Sequence, residues 1–484
     1  MKQNIFFLFL GCVFLFFGNG RFFIPIATWI FPIFFLQVLR KKKEARYLLL
    51  IPFSFGIVSQ FSFWKFSHSN PKSILFYIPF FLGLCLGSLF LIEKFIPKDK
   101  KDFASTLILP LVYTSFEFLL NLVNPFGTTG SLAYTQFRFL EFANLSSITG
   151  IWGITFMITW FSSIVVWAFQ ILDKKKELIR GISIYFTIFS IIILYGYFRP
   201  TIANSPDTVK ISGIHVHDKD VEVKEMWDAI SRNDFEGFQK LSNQVIEKYL
   251  QKTNEEVRSG SKIIVWSEIS PLILKKDSEK YDKLFQKLAL EQKIHLINSP
   301  FLYDPEKSEN RGNLYSPKGI LEFSHMKYGG SFLEGTTPGN KVLQTIPTEF
   351  GNITILVCWD ADFPSVIRQA YHLKTNLLLI PSSDWKEIDP LHSIPALFRG
   401  IENGTSVLRQ TQNGLSFIAD GKGNIISQMD HFQTRNWSMT GNIPTKRYFS
   451  IYPYIGDLFG WICVFSLLAY LGKIGWKKLK KKRK

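Results

Sequence analysis

Cys358 is the residue around which a covalent chemistry can be built. It closes the run ITILVC at 353–358, whose other five residues are β-branched or Leu, the composition of a fully buried strand. The polar run Trp359-Asp360-Ala361-Asp362 follows, then Phe363-Pro364 and an apolar pattern with helical spacing. A strand-to-helix elbow is therefore expected. It puts the thiol near a helix N-terminus, where free N–H groups and the helix dipole favour a thiolate and can hold an oxyanion. The same thiol also fits as a small buried hydrophobe. The nucleophilic reading needs a base and a group that stabilises developing charge. Glu268 ends the apolar strand run that contains Ile263-Ile264-Val265-Trp266, and a carboxyl desolvated beside Trp has its pKa raised toward that of a base working near neutrality. Lys327, in SHMKYGG ahead of a Gly-rich loop, offers a cation. Singly, Glu and Lys are ordinary solvated residues. Their order, Glu268 then Lys327 then Cys358, is what carries information.

The elements that must position these residues are of two kinds. The chain has 484 residues, 48 of them Phe, and a net charge of +17. Its apolar residues crowd into the first ~200 positions and the last ~35, in runs of about 18 to 23 residues, long enough to cross a bilayer. Spans are expected at 5–19, 22–39, 47–63, 73–92, 104–123, 150–172, 180–198 and 455–471; the first also has the form of a signal peptide. Dense basic runs at 40–46, 94–101, 174–180 and 473–484 abut alternate spans, a pattern of membrane topology rather than of nucleic-acid binding. The positive-inside rule then puts the N-terminus, those loops and the Lys tail in the cytoplasm. Seven crossings put the middle of the chain on the far side and the eighth brings the chain back. The expected organisation is a seven-helix membrane domain at 1–203, a polar domain on the far side at 204–446, a transmembrane helix at 447–473 and a cytoplasmic tail at 474–484.

Glu117 falls within the fifth span. It either lines a polar cavity or packs as a structural carboxyl. The weakly charged, aromatic loop at 124–150 suits a lid at the membrane interface. Of the four cysteines, Cys12, Cys85 and Cys463 lie in apolar spans. No disulfide within the polar domain is possible and no Cys/His cluster has metal spacing, so neither metal nor cofactor is expected.

The polar domain alternates strand and helix: strands at 209–216, 262–266, 294–298, 353–358 and 376–381, helices at 235–250, 277–291, 364–373 and 391–408, and a hairpin of 415–419 with 425–428. That alternation implies an α/β domain with helices outside the sheet.

The Glu-Lys-Cys order resembles the nitrilase superfamily, whose triad sits in an α-β-β-α sandwich. With the flanking spans, nearly the whole chain is similar to the bacterial apolipoprotein N-acyltransferase family. The similarity rests on Glu117-Phe118-Leu119, Ala133-Tyr134-Thr135-Gln136 and Gly150-Ile151-Trp152-Gly153 in the apolar part. In the polar domain it rests on Val265-Trp266-Ser267-Glu268, Lys327 with Glu334, Val357-Cys358-Trp359-Asp360, Asp384-Trp385, Arg399-Gly400-Ile401-Glu402 and the segment 408–414. Ser267 stands where the family usually has Pro, Trp359-Asp360 replaces a commoner Tyr-Glu, Gly213-Ile214-His215 replaces a Gln/Asn pattern, and Leu120 stands where a basic residue is common.

The resemblance implies Glu268 as base, Lys327 as oxyanion stabiliser and Cys358 as nucleophile. Glu334 and Asp360 are then supporting acids, or else loop caps. Trp227, Trp359 and Trp385 either shape an acyl-chain pocket or belong to the core. The implied reaction moves an acyl chain from a membrane phospholipid, through a Cys thioester, to the α-amine of a diacylglyceryl-Cys lipoprotein, by a monomer without cofactor. A membrane-tethered amidase or hydrolase, in which water resolves the thioester, and an inert membrane scaffold are the alternatives.

Overall fold

The computed structural model describes residues 2–40, 46–64, 74–96, 99, 101–202, 208–216 and 223–482. The centre of the basic loop at 41–45, Lys65, Lys72, residues 97, 98 and 100 of the second basic loop, and the last two residues of the Lys tail lie outside them. The chain divides into two compact units: residues 1–124, 130–199 and 454–484, and residues 125–129 with 200–453.

The first unit is helical. Among the described residues, four helices are long and apolar enough to cross a membrane: Ile78–Phe95, Phe103–Val123, Lys175–Phe198 and Leu458–Trp476. Four shorter apolar helices, Lys2–Phe16, Pro25–Leu39, Leu48–Ser62 and Trp152–Ala168, fall at the other expected span positions. Turning glycines flank two of them. Gly20 has φ +103° after the first, and Gly150, at φ +63°, precedes Trp152. Glu117 accepts hydrogen bonds from Ser131 Oγ (3.1 Å), Leu132 N (3.0 Å) and Thr155 Oγ1 (2.7 Å). It thereby ties the start of the 3-10 turn Leu132–Gln136 to the helix Trp152–Ala168. The last helix packs here too: the Trp461 and Phe118 rings are 5.0 Å apart, and Trp152 Nε1 donates to Asp457 Oδ1 at 2.9 Å.

Among the described residues, the second unit is built on twelve strands: β1 (Thr208–Ile214), β2 (Ile263–Leu274), β3 (His295–Tyr303), β4 (Glu309–Tyr315), β5 (Leu321–Met326), β6 (Ile346–Thr348), β7 (Gly351–Ile355), β8 (Thr375–Ser383), β9 (Ser406–Gln412), β10 (Leu415–Ala419), β11 (Ile425–Asp430) and β12 (Ser438–Pro444). They form two six-stranded sheets, ordered β12-β1-β2-β3-β4-β5 and β11-β10-β9-β8-β7-β6. The centre of each is parallel, β1-β2-β3 in one and β7-β8-β9 in the other, and the flanks are antiparallel.

Strand alternation explains how the sheets stack. Ile263 and Val265 of β2 face Ile353 and Ile355 of β7 and Leu377 and Leu379 of β8 in one buried layer. Ile264 and Trp266 point the other way, into a second layer with Ile246 and Tyr249 of the helix Phe235–Arg258 and Tyr281 and Phe285 of the helix Ser278–Gln292. The helix Ile394–Asn403 packs on β9. This is an α/β domain with helices outside paired sheets, as the alternation predicts.

Several expected elements differ. The helix expected over 391–408 is Ile394–Asn403, ended by Gly404 at φ +60°, and 406–408 belong to β9. The strand expected at 353–358 stops at Ile355, and Cys358 heads a 3-10 turn, Cys358–Asp362. The helix expected at 364–373 is two single turns, Pro364–Ile367 and Gln369–His372. Strands β4, β5, β6, β9 and β12 have no strand counterpart in the sequence reading.

Candidate active site

Each of the three residues singled out for chemistry is placed by an irregularity at a strand or strand end. In β2 the pairing with β3 shifts register on both sides of Glu268, and Ile269 has φ +59°. Such a bulge re-aims a side chain without ending the strand. Lys327 follows β5 directly; its N–H donates to Asn310 O (2.9 Å) and its carbonyl accepts from Gly339 N (2.8 Å). Cys358 sits at φ +50°, a left-handed conformation that costs a non-glycine residue energy and is held only by its surroundings.

The three are buried together: Glu268 and Lys327 are each 1 % exposed and Cys358 is 3 % exposed. Lys327 Nζ donates to Glu268 Oε1 at 2.6 Å and also to Glu334 Oε1. Asn310 Nδ2 donates to Glu268 Oε1 (2.8 Å) and to Glu334 Oε2 (3.1 Å). One ammonium and one amide thus bridge both carboxylates. Burial alone would lower the Lys327 pKa, but Glu268, Cys358 and Glu334 raise it well above the usual lysine value. Burial pushes the Cys358 thiol well up and Glu268 adds to this, while Lys327 opposes it. Burial likewise raises the Glu334 carboxyl against the pull of Lys327. The expectation of a helix dipole at the thiol is therefore corrected. Cys358 heads a five-residue turn rather than a helix, and burial opposes its ionisation.

Asp360 anchors the loop. Its Oδ1 accepts from Tyr328 N (3.0 Å) and Gly329 N (2.7 Å). Its Oδ2 accepts from Val357 N (3.0 Å) and contacts His325 Nε2 at 2.8 Å. It ties the loop after Lys327 to the turn that carries Cys358, the role of a loop cap. The three tryptophans separate. The Trp359 ring lies 6.0 Å from Trp385 and 5.1 Å from His392, beside Cys358 in the same turn. Trp227 is half-buried and packs on Phe301 (5.6 Å), in a cluster with Leu272 and Leu274 at the far end of β2.

Three groups of residues were not assigned to this site from sequence. Asn310 lies in β4, whose polar string ENRGNLY hid the strand. His392 and Asp362 join Asp384 in a buried ion-pair cluster; donor atoms of Cys358, Asp384 and His392 all lie within 4.8 Å of one another. Arg409 and His392 already occupy the Asp384 oxygens, so protein cations rather than an open metal position complete the set. Residues 125–129 also reach the turn. Thr128 N and Oγ1 both donate to Asp362 O (2.9 Å each), Thr129 Oγ1 donates to Asp362 Oδ1 (2.7 Å), and Phe126 packs on Trp359 (5.6 Å) and Phe332 (5.8 Å). No motif in the sequence links these positions.

Residues 11–164 match the family model of the apolipoprotein N-acyltransferase N-terminal domain, and residues 240–440 match that of the carbon-nitrogen hydrolases. Apolipoprotein N-acyltransferase 2 of Treponema denticola is 25% identical over 365 residues, 65% of this chain and 66% of that protein, just under two thirds of its length. Apolipoprotein N-acyltransferase of Geobacter metallireducens is 23% identical over 403 residues, 76% of this chain and 73% of the relative. Among solved structures, an amidase from Nesterenkonia sp. aligns over 50% of this chain and 93% of its own, with 15% identity and a TM-score of 0.39. Two models matched in this order along one chain, and relatives of one name aligned across much of it, lead to a single assignment: the chain carries an apolipoprotein N-acyltransferase N-terminal domain followed by a carbon-nitrogen hydrolase domain.

Proposed function

We propose that the protein transfers an acyl chain from a membrane phospholipid, through a thioester on Cys358, to the N-terminal α-amine of diacylglyceryl-Cys apolipoproteins, the last step of lipoprotein maturation. The observation that carries the chemistry is the buried Lys327 ammonium, held between Glu268 and Glu334 and acting electrostatically on Cys358. The names of the relatives supply the acceptor.

Glu268 takes the proton of the neutral thiol as Sγ attacks the ester carbonyl. Among the described residues its side-chain hydrogen bonds all fall on Oε1, which leaves Oε2 for the proton. Two ammonium protons of Lys327 are committed to carboxylates and the third is left for the oxyanion, together with the N–H of Trp359. Collapse of the tetrahedral intermediate breaks the ester C–O bond, and the lyso-phospholipid leaves with the proton from Glu268. The lipoprotein amine then attacks the thioester carbonyl, Glu268 accepts its proton, and the thiol is regenerated. This is ping-pong chemistry.

Both substrates are lipid-anchored, which gives a reason for joining the domain to apolar helices. The eight helices are read as eight crossings of a bacterial inner membrane. The basic loops and the Lys tail are cytoplasmic and the catalytic domain periplasmic, with the boundaries 1–203, 204–446, 447–473 and 474–484. The working unit is a monomer.

Intact mass of the full-length protein after incubation with phosphatidylethanolamine tests the first step. A gain of one acyl chain, released by neutral hydroxylamine and absent in Cys358→Ser, is expected, and a diacylglyceryl lipopeptide should clear it onto the peptide amine. Release of free fatty acid without transfer would instead identify a hydrolase. No adduct with any phospholipid would remove the reading.

A further inference from the structure

His392 is among the buried charged groups that the triad leaves unused. It lies between two carboxylates: Nδ1 is 2.7 Å from Asp384 Oδ1, and Nε2 is 3.2 Å from Asp362 Oδ2. Arg409 is bidentate on Asp384, with Nη1 2.9 Å from Oδ2 and Nη2 2.9 Å from Oδ1, and Nη2 also lies 3.3 Å from His392 Nδ1. Four elements supply the set. Cys358 and Asp362 come from the nucleophile turn, Asp384 from the end of β8, His392 from the loop before the helix Ile394–Asn403, and Arg409 from β9. Thr129 Oγ1 and the Trp359 ring close the remaining sides. Farther out, Asp389 adds a carboxyl that acts on Asp384 and Arg409. All five of Cys358, Asp362, Asp384, His392 and Arg409 are buried.

The charge count of this cluster decides what happens to the thiol. With His392 an imidazolium, two carboxylates face two cations. Without it, one net negative charge is left over in a buried site, and the His392 cation that lay, with an Asp384 oxygen, within 4.8 Å of Sγ is gone. A like charge at that range opposes formation of the thiolate. Asp384 already acts on Cys358 in that sense and Arg409 against it.

We propose that His392 is a positioning residue for the thiol chemistry, offsetting Asp362 and Asp384 together with Arg409 so that no net negative charge stands beside Cys358. The cluster does for the nucleophile's surroundings what Lys327 does for the base. Asp384 raises the His392 pKa to about 9 against the opposing effect of burial, and Asp362 adds to that rise, so the cation persists at neutral pH.

The inference rests on the reading of Cys358 as the nucleophile. It is tested on the thiol itself, so its failure and a failure of acyl transfer are separate results. The pH dependence of Cys358 alkylation by iodoacetamide is followed by peptide mapping of the full-length protein in detergent. His392→Asn should raise the midpoint by about one to two units, slowing alkylation at neutral pH ten- to a hundredfold. Asp362→Asn should lower it, and the double variant should return it to near the wild-type value. A structural role for His392 predicts instead that the double variant is at least as impaired as His392→Asn. A midpoint unmoved in His392→Asn, or not restored in the double variant, overturns the proposal. Should His392→Asn not fold, an unmoved or raised midpoint in Asp362→Asn overturns it equally.

Discussion

Lys327 Nζ lies 2.6 Å from Glu268 Oε1, and that one oxygen takes every hydrogen bond the Glu268 side chain makes among the described residues, the second coming from Asn310 Nδ2. The cation both fixes the carboxylate and leaves its other oxygen unengaged. Lys327→Met should therefore do two things at once. A buried carboxylate, Glu268, and a half-buried one, Glu334, lose their shared counter-ion, which costs about 3–5 kcal/mol of domain stability. Acyl-adduct formation should fall by roughly two to three orders of magnitude, since an oxyanion donor is lost. Thermal unfolding in detergent and intact-mass time courses check the two effects separately.

Asp360 is predicted to matter through the backbone rather than through its charge. Asp360→Asn puts an amide NH2 against N–H donors that now share two carboxylate oxygens. The expected cost is about 1–3 kcal/mol, with faster proteolysis in the loop at 327–335. Limited proteolysis read by mass spectrometry would show the cut sites move there.

Stability should fall as pH rises above neutrality. His392 has a folded-state pKa raised to about 9, above its ordinary value near 6.5. Its contribution is fully present below about pH 6.5 and disappears as pH climbs through about 9, a loss on the order of 3 kcal/mol. Asp384 runs the other way: Arg409 and His392 overcome burial and hold its carboxyl well below the usual range, so its contribution is lost only as pH falls beneath about 4. Unfolding temperatures from pH 4 to 10 should decline on the alkaline side, and His392→Asn should flatten that decline.

Gly127 has φ +58°, and a Cβ there would meet Asp362 O at 2.2 Å. Gly127→Ala is expected to lift residues 125–129 off the nucleophile turn, with about 1–2 kcal/mol from the left-handed backbone alone. Adduct formation should slow while the rest of the domain keeps its unfolding temperature to within a few degrees. Hydrogen exchange at the Thr128 amide, now bonded to Asp362 O, gives a direct reading.

How much of this is legible in the sequence depends on the kind of signal. β2 and β7 announce themselves because their centres are buried on both faces and read as unbroken apolar runs. The antiparallel flanks do not. β5 is exposed at alternate positions and β4 carries Asn310 and Asn313 inward, so neither gives a clean apolar period. The helix that ends at Asn403 reads on into β9 because Val407 and Leu408 continue its apolar spacing; Asn403-Gly404 is the stop signal that outweighs them. At the site, Glu268, Lys327 and Cys358 stand out by residue type at strand ends. His392 and Thr129 act only through partners far away in sequence, and a single chain without its fold holds no trace of that.

The segment 125–129 has a practical consequence. A fragment that begins near residue 200, the natural choice for a soluble catalytic piece, would contain every residue of the triad. It would still lack the hydroxyls and amide that cover Asp362 and the ring that covers Trp359. The fold here is assembled from two stretches that a linear domain map separates, so an excised fragment should behave as an incomplete protein. Supplying the missing strip, as a fused or added peptide spanning 124–130, is the repair its geometry suggests.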